Sequence, residues 1–117
     1  MATVRSVARA LPPHYADQEP LIAAFREHWA TGHFNVERLE QLHRAVQVGG
    51  RHLALPLEAY TRLRTFRERN DAWITAAVEL GAQAVQSVLA QSELRTTAID
   101  HLYFVTVTEL ATPSINA

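Results

Sequence analysis

Six histidines are the side chains of this 117-residue sequence that first suggest chemistry. They stand at positions 14, 28, 33, 43, 52 and 101. Neutral imidazole is a common zinc ligand, but none of these histidines belongs to a His-Glu-x-x-His pattern or a comparable ligand spacing. We therefore interpret them as surface, cap or core-edge residues and predict no metal site.

Other catalytic side chains are equally hard to assign. The sequence contains no cysteine, which excludes a disulfide, a thiolate metal site and a cysteine nucleophile within these residues. The carboxylates form no recognisable acid–base pair. A local basic cluster consists of Arg62, Arg64, Arg67 and Arg69. Glu58, Glu68 and Asp71 interleave it, which favours a solvated face over a phosphate-binding site.

Composition limits the classes of function. With 48% apolar residues, 20% charged residues and a net charge of −1, the chain has the makeup of one soluble domain or of a piece of a larger one. The balanced charge argues against a nucleic-acid partner. No segment approaches the ~20 apolar residues of a membrane span, and no leader is evident. We expect a cytoplasmic protein without a membrane partner.

Residue patterns predict five elements in the first half of the chain. Residues 3–9 alternate like a short strand that ends at Pro12-Pro13. Asp17 can cap a first helix that runs to Thr31-Gly32, and Asn35 can cap a second helix that Gly49-Gly50 ends. Residues 51–55 favour an extended segment before Pro56, and a short helical stretch follows from Leu57 to about Leu63.

The second half of the sequence predicts one long helix and one buried strand. The helix runs from Asp71 to about Gln91, and Gly81 in its middle suggests a close packing contact. Residues 99–107 are a dense β-branched and aromatic run, typical of a strand buried on both faces of a parallel sheet. The predicted fold class is therefore α/β, with parallel strands joined by a right-handed crossover.

The predicted last strand needs more neighbours than this sequence provides. A central strand as apolar as residues 102–107 requires paired strands at both edges and a layer on each face. We therefore expect the chain to be an incomplete part of a larger α/β unit.

Several stretches, taken together and in order, resemble bacterial type III polyketide synthases of the chalcone and stilbene synthase kind. The matching stretches are residues 10–14, 17–19, 51–55 and 99–115, the last running from Ile99-Asp100-His101-Leu102 to Pro113-Ser114-Ile115. The resemblance implies that residues 1–117 are the N-terminal fragment of such an enzyme, carrying part of a thiolase-type fold. It also implies a homodimeric enzyme that condenses an acyl-CoA starter with malonyl-CoA.

The chemistry implied by the resemblance uses a Cys-His-Asn set. The cysteine carries the acyl group as a thioester, while the histidine and asparagine stabilise the charge that forms on decarboxylation. None of the three can be assigned in this sequence, and no cofactor is implied. The chain alone is expected to be inactive.

The resemblance also places a few residues. Thr106, Val107 and Thr108 match positions that line the acyl cavity, although β-branched residues also simply suit a strand end. Thr112 matches a position that reaches the partner subunit, and its bond to Pro113 is expected to be cis. These two residues form the expected dimer and cavity contact.

Arg51 matches a basic position near the CoA entrance, where a guanidinium can pair with phosphate. A solvated loop arginine is an equally good interpretation. Two departures, Glu109 in place of the usual glycine and Asn116 in place of a common aspartate, suggest a truncated, frameshifted, degenerate or excised reading frame.

Two alternatives stay open. One is a self-standing α/β binding or regulatory module, and the other is a fragment of a different thiolase-fold enzyme, such as a ketoacyl synthase III relative. The starter unit, the number of extensions and the mode of cyclisation are not encoded in these residues.

Overall fold

The computed structural model describes residues 1–28, 32, 35–106, 111 and 115, and the chain divides into two compact units. The hairpin unit is Pro12–Arg64, and the helix unit combines Met1–Leu11 with Thr65–Ala117. The elements of the hairpin unit are β1 His14–Asp17, α1 Gln18–His28, α2 Val36–Ala45, β2 Gly50–Leu53 and a 3₁₀ helix Leu57–Arg62. Those of the helix unit are α3 Phe66–Ser92 and a 3₁₀ helix Thr96–Ala98. The structure thus mixes helices and strands, which is the part of the predicted α/β class that is confirmed.

The sheet differs from the predicted one. β1 and β2 pair antiparallel, with His14 opposite Leu53 and Asp17 opposite Gly50, whereas the sequence predicted parallel strands at 3–9 and 99–107. The backbone N–H of Gln18 donates to the carbonyl of Gly49 at 2.9 Å, which continues the pairing into the start of α1. The predicted extended segment after Gly50 is confirmed as β2, while the strand at 14–17 was not predicted.

The predicted strand at residues 3–9 is wrong. Residues 1–11 contain no regular element, and Val4 and Val7 are 81% and 77% exposed. One hydrogen bond fixes this segment within the helix unit, from the hydroxyl of Ser6 to the carbonyl of Val88 at 3.2 Å. An alternating pattern makes a strand only where another strand pairs with it, and none does so in the described ranges.

The two short helices follow their predicted signals. α1 begins directly after Asp17, and its predicted end at residues 29–31 lies outside the described residues. The side chain of Asn35 accepts a hydrogen bond from the backbone N–H of Arg38 at 2.9 Å, which confirms the predicted cap of α2. Gln47, with φ of 54°, takes the left-handed turn after α2, before the glycine pair that was expected to end it.

α3 is longer than predicted. It begins at Phe66, because Thr65 and Glu68 form a reciprocal capping box, and it ends before Glu93, which is left-handed. The Thr-x-x-Glu pattern of this capping box is present in the sequence. A Cβ built at Gly81 meets no described atom within 4 Å, so the described residues make no close packing contact at this glycine.

The predicted buried strand at the end of the chain is also wrong for the residues that are described. Residues 99–106 form no strand, and Tyr103 and Val105 are 85% and 86% exposed. Val107 lies outside the described residues. The described residues provide no strand to pair with this run. Its strong β-propensity alone does not form a strand, because a strand needs a partner for its backbone hydrogen bonds.

The described residues bury little apolar surface. Ile22, at 4% exposure, is the buried apolar residue of the hairpin unit, and Leu89, at 9%, is that of the helix unit. Within the described ranges, no helix combines the length and the apolarity needed to cross a membrane.

Candidate functional site

The hairpin unit contains a small cleft with a volume of about 210 Å³. Four elements, α1, α2, β2 and the 3₁₀ helix, contribute to its walls. The lining residues are Gln18, Leu21, Phe25, His43, Arg51, Leu53, Leu57 and Tyr60. Pockets for drug-sized ligands have volumes of roughly 300–1,000 Å³. The cleft can therefore receive part of a large ligand but cannot enclose it.

Arg51 is the candidate residue that the structure places at this cleft. It lies on β2 opposite Ala16, is exposed, and forms no ion pair with any residue in the described part of the chain. A guanidinium without a carboxylate partner keeps its fork of donors available for an anion. Arg51 is thus placed where it can bind a phosphate.

The other polar groups of the cleft hold its walls together. The Nε2 of Gln18 donates to the carbonyl of His43 at 2.8 Å, and the Nδ1 of His43 lies 2.8 Å from the carbonyl of Leu39. Because a carbonyl only accepts, the Nδ1 of His43 carries the hydrogen in this contact. The backbone N–H of Leu55 donates to the hydroxyl of Tyr60 at 3.3 Å.

Sequence reasoning missed these three wall residues. His43 was interpreted only as one of the surface, cap or core-edge histidines, and nothing in the local pattern distinguished Gln18 or Tyr60. Their roles depend on contacts between elements; Gln18 and His43 are 25 positions apart. A pattern read along the chain does not contain that information.

A charge cluster of Glu19, Arg26, Glu40 and Arg44 joins α1 to α2. The guanidinium of Arg44 contacts both oxygens of Glu19, at 3.0 and 2.9 Å, and reaches Glu40 at 3.4 Å. The Nε of Arg26 lies 3.0 Å from Glu40. Every carboxylate in the cluster therefore lies against a guanidinium.

The contacts in the cluster shift the pKa values of Glu19 and Arg44. The hydrogen bond from Arg44 and its positive charge lower the pKa of Glu19, and burial opposes this shift. The same contact raises the pKa of Arg44. A carboxylate held ionised is a poor proton donor, so the cluster is a structural connection and no general acid.

The remaining candidate residues are mostly beyond the described ranges. Thr106 is described and exposed, within a segment of no regular structure. Val107, Thr108, Thr112 and Pro113 lie outside the described residues, so their assignment to the acyl cavity and the dimer contact stays a prediction. Among the residues that the structure describes, no group of three or more histidine or acidic side chains could hold a metal ion.

The chain is similar to two named bacterial proteins. No protein-family model matches the chain. It is 34% identical over 115 residues to 1,3,6,8-tetrahydroxynaphthalene synthase of Streptomyces peucetius subsp. caesius, a match that covers 98% of this chain and 30% of that enzyme. It is 28% identical over 122 residues to a Bacillus subtilis (strain 168) protein named "Putative chalcone synthase", with 100% of this chain and 33% of that protein covered.

The chain thus spans about a third of the length of the curated relatives that it matches. The resemblance seen in the sequence is confirmed, since the chain is similar over nearly its whole length to bacterial proteins named as a tetrahydroxynaphthalene synthase and a putative chalcone synthase.

Proposed function

We propose that this chain is the N-terminal part of a type III polyketide synthase that condenses an acyl-CoA starter with malonyl-CoA. The observation that carries the proposal is the match of 98% of the chain to a named synthase. In the complete enzyme we expect a thiolase-type fold and a homodimer.

In this reaction the chain supplies substrate contacts rather than the catalytic nucleophile, which we call its supporting role. Decarboxylative condensation of this kind needs a thiolate that takes the acyl group as a thioester, and the 117 residues contain no cysteine. The nucleophile therefore cannot come from these residues. The chain contributes substrate contacts instead and is inactive alone.

Arg51 is the proposed CoA contact. Its exposed guanidinium lines a cleft whose other walls are largely apolar. A phosphate of the ligand can therefore bind the guanidinium while an adjoining apolar part of the ligand enters the cleft. Thr106, Val107 and Thr108 are proposed to line the acyl cavity, and Thr112 and Pro113 to reach the partner subunit.

Binding of CoA to the 117-residue chain tests the role of Arg51. We expect Arg51→Gln to raise the Kd about fivefold, which corresponds to the loss of about 1 kcal/mol from an exposed ionic contact. Isothermal titration calorimetry with CoA measures this change. Arg95→Gln is the matched control, because it removes the same charge from an exposed residue of the helix unit.

An equal loss in both variants would show general charge attraction and would exclude a specific contact at Arg51. Release of carbon dioxide from malonyl-CoA by the wild-type chain would contradict the supporting role, because it requires catalytic groups that these residues were predicted to lack.

A further inference from the structure

Tyr60 has a hydroxyl hydrogen that the described contacts leave unused. The residue is half-buried and lies on the 3₁₀ helix that forms one wall of the cleft in the hairpin unit. Its hydroxyl oxygen accepts a hydrogen bond from the backbone N–H of Leu55 at 3.3 Å. A phenol can also donate one hydrogen bond, and no residue in the described ranges accepts that hydrogen. Tyr60 can therefore bind an oxygen atom of a ligand.

Arg51 and Tyr60 offer a ligand two different environments in the same cleft. Arg51 is exposed, whereas Tyr60 is half-buried, and the apolar side chains of Leu21, Leu53 and Leu57 contribute to the walls. Moving a charged phosphate from water into apolar surroundings costs much more free energy than moving an uncharged carbonyl that gains a hydrogen bond. A phosphate is therefore best placed at Arg51, and an uncharged oxygen is the better partner for Tyr60.

Local hydrogen bonds fix the position of Tyr60. The backbone N–H of Leu63 donates to the carbonyl of Tyr60 at 3.2 Å, and the backbone N–H of Ala59 donates to the carbonyl of Pro56 at 2.9 Å. The contact of the hydroxyl with Leu55 restrains the other end of the residue. A side chain that is already ordered loses little conformational freedom when a ligand binds, so its hydrogen bond contributes more to affinity.

We propose that Tyr60 is a second ligand-binding residue of the cleft, and that its hydroxyl donates to an uncharged oxygen of the ligand while Arg51 binds a phosphate. The ligand class is a phosphate ester that carries an amide or another uncharged acceptor beside an apolar segment. CoA has this chemistry, because it contains amide oxygens as well as phosphates, whereas pyrophosphate contains phosphate oxygens alone. The choice of CoA as the ligand rests on the proposed function.

Isothermal titration calorimetry of the 117-residue chain with CoA and with pyrophosphate tests this role of Tyr60. Tyr60→Phe removes the hydroxyl and keeps the ring. We expect it to raise the Kd for CoA about fivefold, which is the size of one hydrogen bond between uncharged groups. The Kd for pyrophosphate should stay unchanged in this variant, whereas Arg51→Gln should weaken the binding of both ligands.

Tyr15→Phe is the matched control, because it removes the same hydroxyl from a tyrosine of the hairpin unit that is not among the residues lining the cleft. It should change neither Kd. An unchanged Kd for CoA in Tyr60→Phe would overturn the inference. An equal loss of affinity for both ligands would overturn it as well, because a distorted cleft or a phosphate contact would then explain the loss. If Arg51→Gln binds CoA as tightly as the wild-type chain, the proposed contact at Arg51 fails, and Tyr60→Phe still gives its own separate result.

Discussion

At the scale of single residues, Gly50 fixes the closest approach between β1 and β2. A Cβ at this position would lie 2.6 Å from the carbonyl oxygen of Ala16 and would also clash with the ring of Tyr15. Overpacking of this kind costs about 1–3 kcal/mol. We predict that Gly50→Ala lowers the free energy of unfolding by that amount, as measured by urea denaturation.

Gly49→Ala provides the comparison, because a Cβ at Gly49 meets no described atom within 4 Å. It should change the stability by less than about 1 kcal/mol. Equal destabilisation by both substitutions would show that the strands do not approach each other as closely as described.

Residue-scale signals in the sequence were informative where they acted locally. Asn35 was predicted as a cap and is one, because a cap needs only a backbone N–H three residues away. The cap at Thr65 is equally local, because its partner Glu68 lies three residues away. The closeness of Gly50 to Tyr15 could not be predicted, since it depends on which strand pairs with β2.

At the scale of elements, the charge cluster between α1 and α2 makes stability depend on pH. Arg44 lowers the pKa of Glu19 in the folded chain, so the contact contributes stability above the ordinary pKa of glutamate and loses it as the pH falls through the folded pKa. We predict that Arg44→Gln raises the pKa of Glu19 toward its ordinary value. Titration of the Glu19 carboxyl carbon by NMR measures the shift.

Arg38→Gln is the control for this titration. It also removes a positive charge from α2, but Arg38 forms no ion pair with Glu19 in the described structure. The shift at Glu19 should also shrink in 1 M salt, since both partners are exposed and the Debye length is then only about 3 Å. A pKa that stays low in Arg44→Gln would mean that another group holds Glu19 ionised.

Elements differed in how well the sequence predicted them. Helices depend on a local period, and all three lie where that period indicated, with α3 extended at its start. Strands depend on partners, and both predicted parallel strands were wrong in the described residues. The antiparallel pair β1 and β2 joins segments separated by 33 residues or more, which no local pattern reports.

At the scale of the whole molecule, each unit has one buried apolar residue, Ile22 or Leu89, among those described. Many large apolar side chains remain exposed, and Tyr103 and Val105 are among the most exposed of them. The family was predictable from the order of short matching stretches along the chain. The candidate site was predictable only at Arg51, because the other cleft residues are brought together by the fold.

Isothermal titration calorimetry of the 117-residue chain with CoA tests the central claim most directly, because the proposed role of the chain is a substrate contact at Arg51. We predict binding that weakens about fivefold in Arg51→Gln and stays unchanged in Arg95→Gln. An equal loss of affinity in both variants would contradict the account, because the binding would then reflect general charge attraction.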